Sequence, residues 1–216
     1  MKILLSALIT SLLILTVSCN STKIASTWKA DGYTSRTYKQ FIVWAIVSEN
    51  DTALKRKMEK HLAGDLREAG YNAVSATDIY GQKNYSREQE EEVVSLFKKS
   101  GVDALVTLIL LDKSKETNFY PPGITYIPGS DMGYNYAGRY LTDTYQKIYS
   151  PGYYATDTKY FWEGNLYSMK EEKLVYIVKT NSFNPASIEK LAHENGKMII
   201  NNMIRSKIIL NLKPPE

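Results

Sequence analysis

Apolar residues in this chain either run together or recur at helical spacing, and the two patterns alternate. Tyr38 to Val47 (YKQFIVWAIV) is a nearly continuous apolar run with β-branched and aromatic residues, as in a strand buried on both faces. Asp51 then stands at an N-cap position. Leu54, Met58, Leu62 and Leu66 fall four apart, predicting a helix through Ala69 that Gly70 closes. Tyr71 to Thr77 predicts a second strand. Ser86 and Gln89 form a capping box for a second helix, with Val93, Val94, Leu96 and Phe97 facing inward and Gly101 at its end. Val102 to Leu111 (VDALVTLILL) predicts a third strand.

The periodicity then stops. Asp112 to Asp157 carries Pro121, Pro122, Pro128 and Pro151 with several glycines, and short β segments such as Thr144 to Tyr149 are the most it suggests. Order returns with Thr158 to Ser168 and Leu174 to Thr180, joined by a polar turn at Met169 to Lys173, the pattern of an antiparallel hairpin. Asn184-Pro185 then opens a last helix reaching about Leu210, with Ile188, Leu191, Ala192, Ile199, Met203 and Ile209 on its apolar face. Strands linked by helical crossovers imply parallel pairing. The expected fold class is α/β: a three-layer or two-layer sandwich with a mainly parallel β-α-β-α-β sheet, extended by an antiparallel hairpin and a C-terminal helix.

The N-terminus changes the picture. Met1-Lys2 and the apolar stretch Ile3 to Val17 read as a signal peptide over residues 1–18, too short to span a bilayer comfortably. The chain has one cysteine, Cys19, so no internal disulfide is available to it. Leu15-Thr16-Val17-Ser18-Cys19 resembles the bacterial lipobox. Val17 and Ser18 fit that pattern, whereas Thr16 stands where it has Leu. The resemblance implies a diacylglyceryl thioether and an N-acyl group on Cys19. Several acyl chains make a durable anchor where one is marginal. Asn20 follows, which in such lipoproteins is compatible with transfer to the outer membrane, facing the periplasm. Residues 19–33 read as the lipidated N-terminus and a polar tether, and 34–212 as one α/β domain with an insertion at 113–157.

Ser26-Thr27-Trp28-Lys29, Ala69-Gly70-Tyr71, Ser86-Arg87-Glu88-Gln89, Gly101 to Val106 and Asn184-Pro185, with the Tyr/Gly-rich stretch between them, look like the small envelope lipoproteins of the Bacteroidetes type. Their implied α/β domain is similar to the N-terminal domain of TolB and to the curli-secretion lipoprotein. Those proteins work in envelope assemblies and are not enzymes, so the resemblance implies an interaction module.

Composition and candidate chemistry add limits. The net charge of +4 becomes +3 once Lys2 leaves with the leader, 26 basic residues against 23 acidic, and the two signs interleave, which argues against nucleic acid. The strand ends carry an acidic rim, Glu49, Asp51, Asp78 and Asp112, read as caps and solvated loops, with a hydrolase using paired carboxylates there as the lesser alternative. His61 and His193 lack a second ligand at metal spacing, and no nucleophile elbow or phosphate-binding loop occurs. No metal, cofactor or catalytic residue is expected.

What stands out is tyrosine. Of 17, ten lie between Tyr120 and Tyr160. Tyrosine offers rigid amphipathic area at low entropy cost. The candidate contact surface is Tyr120, Tyr126, Tyr134, Tyr136, Arg139, Tyr140, Tyr153 and Tyr154, and its candidate partners are an envelope protein or a glycan such as peptidoglycan. The alternative is that the rings fold back as a lid on the sheet.

Overall fold

A computed structural model describes residues 21–81, 95–97, 99–120 and 153–213. The leader, Cys19, the capping box at Ser86 and Gln89, and Thr144 to Tyr149 lie outside the described residues.

The apolar run at the chain's first third becomes strand β2, Gln40–Ile46. Its alternate residues enter two different cores. Phe41, Val43 and Ala45 join the larger one, while Ile42 sits in a smaller one with Ala76, Phe97 and Val102, and Trp44 packs against it. Burial on both faces is why the run is continuous rather than alternating. Helix α1, Thr52–Glu68, lies on the larger core through Leu54, Met58, Leu62 and Leu66, each at most 1% exposed. Asp51 precedes α1 but caps nothing. Its Oδ1 accepts from Lys113 Nζ at 2.6 Å instead. Gly70 ends the helix at φ +95, and a Cβ there would stand 2.8 Å from Leu212 Cβ.

β3, Asn72–Ser75, leads into a short helix α2, Ala76–Tyr80, which Ser75 Oγ caps by accepting from the Asp78 amide. Residues 95–97 and 99 are helical, and Phe97 meets Trp44 edge-to-face at 5.9 Å. β4 spans Ala104–Tyr120, β5 Tyr153–Ser168 and β6 Lys173–Phe183. Helix α3, Ile188–Arg205, is capped by Ser187 Oγ, which accepts from Lys190 N at 3.0 Å. The helix therefore begins later than Asn184-Pro185 and ends before Leu210. Asn184 is left-handed at φ +44, and its amide donates to Thr158 O, so it serves the strands.

The sheet has six strands in the order β1-β6-β5-β4-β2-β3. β2 pairs in parallel with both β3 and β4, as crossover connections require, and β4–β5, β5–β6 and β1–β6 are antiparallel. The α/β sandwich, the parallel pairing of β2, β3 and β4 and the hairpin are as the pattern predicts, but the sheet is mixed rather than mainly parallel, because β5, β6 and β1 add three antiparallel pairings to the two parallel ones. The sixth strand is not predicted. Residues read as a polar tether form β1, Thr22–Lys29, an edge strand paired with β6 from Thr22↔Ser182 to Lys29↔Tyr176. The ladder holds it with little apolar burial, since of its side chains only Thr22 is buried. The insertion boundary also moves, because residues 113–120 and 153–157 belong to β4 and β5.

Two carboxylates are buried on α1, and the first of them joins the helix to the sheet. Glu59 of α1 is 0% exposed and accepts from the Ala45 amide at 2.9 Å, Ser75 Oγ at 2.7 Å and the Thr77 amide at 2.8 Å. β3 stops pairing with β2 at Val43, and Glu59 takes the amide that the strand no longer reaches. Asp65 is the opposite case. It lies where α1 crosses α3, and a Cβ on Gly196 would stand 2.4 Å from its Oδ2. That oxygen is buried with no hydrogen-bond partner among the described residues. Burial pushes the Asp65 carboxyl up to about 6, with Glu68 adding to the rise and His61 and Lys197 opposing it.

Replacing Glu59 by Ala strands three buried donors, so Glu59→Ala is expected to lose at least about 3 kcal/mol in urea unfolding at unchanged m. For Asp65, the folded state binds the proton more tightly than the unfolded state, near pH 4. Its contribution to stability is therefore full below that pH and is lost as pH rises through about 6. The loss is on the order of 2–3 kcal/mol. The stability difference between wild type and Asp65→Asn should change by that amount between pH 4 and pH 7, and a pH-independent difference would contradict the assignment.

Candidate functional site

The longest ladder in the sheet carries the exposed part of the tyrosine region. β2 pairs with β4 only as far as Ile109, and β6 pairs with β5 only from Lys159. Beyond those points, among the described residues, β4 and β5 pair only with each other, from Lys115↔Thr158 to Tyr120↔Tyr153. At about 3.4 Å per residue this two-stranded ribbon projects roughly 20 Å past its neighbours. A register shift between Leu110 and Asp112 marks its root, where a bulge increases twist.

The root is braced. Asp157 is 4% exposed and accepts from Asn118 Nδ2 at 2.8 Å and Asn184 Nδ2 at 3.1 Å. Lys159 pairs with Glu116 at 2.7 Å, and Lys113, held by Asp51, lies 5.8 Å from the Tyr160 ring centroid. The end of the ribbon carries exposed aromatic side chains. Phe119 and Tyr154 are directly opposite on one face, with centroids 5.0 Å apart and planes at 48°. They are 53% and 74% exposed, and Tyr153 is 63% exposed. Between this pair and the root, Thr117 and Thr156 hydroxyls meet at 3.3 Å. An exposed aromatic pair on a braced ribbon can stack on or insert into a partner and does no acid–base chemistry.

The predicted contact residues thus divide. Tyr153 and Tyr154 are on the ribbon and exposed. Tyr120 ends β4 opposite Tyr153, its side chain outside the described set. Tyr126, Tyr134, Tyr136, Arg139 and Tyr140 lie outside the described residues. Tyr160, at 8% exposure, is core. Phe119 was missed because DKSKETNFY shows no apolar alternation from which to read a strand.

The N-terminus meets the sheet at the same end. Glu194 of α3 takes the Ser21 amide at 3.0 Å and the Ser21 hydroxyl at 2.8 Å on its Oε2. The Phe183 amide donates to Ser21 O at 2.9 Å, and Thr22 and Ser182 hydroxyls meet at 2.7 Å. Phe183 in turn faces Lys159, where the ribbon departs. Ser21 and the ribbon root therefore share one end of the sheet.

In the acidic rim, Asp51 is neutralised by Lys113, and among the described residues no three His, Cys, Asp or Glu side chains could hold a metal. Helix packing does bring the distant histidines together. His61 and His193 rings lie 5.8 Å apart, and His61 Nε2 is 2.6 Å from Glu189, which Lys57 also holds at 2.5 Å. Those hydrogen bonds, from Lys57 first and then His61, pull the exposed Glu189 carboxyl down to about 2. A pocket of about 250 Å³ between Ala30–Arg36 and Glu171–Val175 opens at the opposite end of the sheet. Its Tyr33 hydroxyl is spent on structure, bonding Tyr38 at 2.8 Å and the Ile208 carbonyl at 3.2 Å, and burial pushes its ionisation well above the usual tyrosine range.

No protein-family model matches the sequence, and no curated protein matches it. Among solved structures, the chain is similar to the PelC dodecamer from Paraburkholderia phytofirmans, at 9% identity over 83% of this chain and 94% of that one, with a TM-score of 0.45. It is also similar to lipoprotein GNA1162 from Neisseria meningitidis, at 13% identity over 77% of this chain and 99% of that one, with a TM-score of 0.43. These likenesses concern the course of the backbone alone.

Proposed function

We propose that this protein is a non-catalytic lipoprotein of the bacterial envelope, anchored by acyl chains on Cys19 and using its ribbon to contact a further envelope component. The observation that carries the contact is the ribbon itself: aromatic side chains held out in solvent on a braced two-stranded arm. An isolated two-stranded ribbon is marginal in water, and its exposed aromatics contribute most when covered. The anchor rests on the lipobox-like run before Cys19 and on its being the chain's one cysteine. Among the described residues no helix is long and apolar enough to cross a membrane. The outer membrane, with the domain in the periplasm, is the location this reading favours, given Asn20 after the cysteine.

Cys19→Ala is expected to abolish metabolic labelling with a radioactive or alkynyl fatty acid and to release the domain from the membrane fraction. Continued membrane association with unchanged labelling would sink the anchor. A photo-crosslinking amino acid in place of Tyr154 is expected to capture an envelope component in cells, far above the yield at Trp28 near the other end of β1. Equal yields at the two positions would remove the ribbon as the contact surface.

A further inference from the structure

Among the described strands, β1 alone buries no apolar side chain. Thr22 is buried and Ile24 half-buried against the larger core, while Ala25 to Lys29 are exposed in succession. The ladder to β6 slips register between Ile24 and Ser26, where an extra residue leaves the pairing. Such a strand is held by backbone hydrogen bonds, and each contributes little net because water takes its place on opening. Local opening draws on elements of this kind first.

The two ends of β1 are fastened by different means. At its start the fastening is polar. Glu194 Oε2 accepts from the Ser21 amide at 3.0 Å and hydroxyl at 2.8 Å, and the Thr22 hydroxyl meets that of Ser182 at 2.7 Å. At its far end the chain is fixed in the larger core. The Ala30 amide donates to Val175 O at 3.1 Å, Gly32 turns the backbone at φ +70, and Tyr33 is buried with its hydroxyl bonded to Tyr38 and the Ile208 carbonyl. β1 is thus built as a strap, with a latch at Ser21 and a hinge at Ala30 to Tyr33. Lifting it uncovers one edge of β6, which stays paired with β5 from Lys159↔Phe183 to Ser168↔Lys173.

We propose that β1 is a releasable strap: Thr22–Lys29 leaves β6 as a unit when Glu194 lets go of Ser21, and the chain stays hinged at Ala30. What this does to the anchor rests on the acylation of Cys19 proposed above. With the strap docked, two residues of chain, at most roughly 7 Å, lie between Cys19 and Ser21. With it released, eleven residues lie between Cys19 and the hinge, a reach of about 36–40 Å. The eight-residue β1 is itself about 26 Å long. Release therefore also moves the point at which the chain leaves the domain, from the ribbon end of the sheet to the pocket end. One lipid anchor then serves two reaches and two orientations of the domain.

Hydrogen exchange of the full processed chain in detergent micelles, read by mass spectrometry, tests the strap, with Cys19 acylation read first by intact mass. The slow amides of residues 22–29 are expected to exchange at least about ten-fold faster than those of β5 paired with β6. Ser21→Pro removes the amide and hydroxyl of the latch, and Glu194→Ala removes its acceptor. Either is expected to speed residues 22–29 by about a further ten-fold and to leave β4 and β5 unchanged. Exchange of β1 in step with β5 in the wild type, or variants that speed every strand alike, would overturn the strap. If neither variant folds, the wild-type rates decide alone. On supported phosphatidylethanolamine–phosphatidylglycerol bilayers, neutron reflectometry is expected to place the Ser21→Pro domain farther from the lipid than a Lys23→Cys, Asn181→Cys variant whose disulfide ties β1 to β6 at directly opposed positions. Equal profiles would overturn the change of reach. A chain without acyl groups on Cys19 would remove the anchor, and the exchange rates would still decide the strap.

Discussion

The antiparallel ladder between β4 and β5 is the joint on which the rest of the molecule depends. On one side β4 belongs to the parallel triad β4-β2-β3, packed on both faces; on the other β5 opens the antiparallel half that ends in β1. Backbone hydrogen bonds run through this joint from Ala104↔Ser168 to Tyr120↔Tyr153. The same continuity that unites two halves of different topology carries the ribbon past the end of the sheet. A shorter ladder would still close the core, through Val106, Leu108, Trp162 and Leu166, but would hold no aromatic pair out in solvent.

Around this joint, the buried polar groups show how the layers are fastened. Glu59 is fully desolvated, yet its carboxylate meets three donors, at a place where β3 has left β2 and an amide would otherwise be stranded. Low surrounding polarity makes such bonds strong and makes their absence costly. Asp65 shows the cost. The close approach of α1 and α3 at Gly196 buries its carboxyl against a helix backbone that offers no free donor to it, and its affinity for a proton rises. The helix pair is thus held by packing along Leu62, Leu66, Leu191 and Ile199 in spite of this group, with the surface cluster of Lys57, His61 and Glu189 at its rim.

Glu194 gives a third use of a buried carboxylate. It stands on α3 and binds the backbone and side chain of Ser21, so the chain from Ser21 onward is part of the sheet edge. Ser21 and the root of the ribbon then lie at one end of one sheet. The geometry relates Ser21 to the aromatic ribbon although Ser21 and Phe119 are far apart in sequence.

Much of the fold is legible from residue order, because burial on a helix or strand repeats with the period of its backbone. The two-sided run at β2, the four-residue stripe of α1 and the polar turn between β5 and β6 all report local geometry. The helix caps were only partly readable: Asp51 is drawn to Lys113 from another strand, and Ser187 caps α3 after Asn184 has been used to hold Thr158. β1 left no pattern, since an edge strand held by its ladder buries one side chain and can be polar throughout. The arms of the ribbon were equally silent, with Thr, Asn, Lys and Glu exposed on both faces. The sequence by itself determined the elements that bury apolar area, the single cysteine and the excess of tyrosine. Only the tertiary structure decided that β1 joins β6, that Glu194 grips Ser21, and that Tyr153 and Tyr154 stand at the same end as Ser21. Backbone pairing between distant segments needs no side-chain periodicity, and so it leaves none to read.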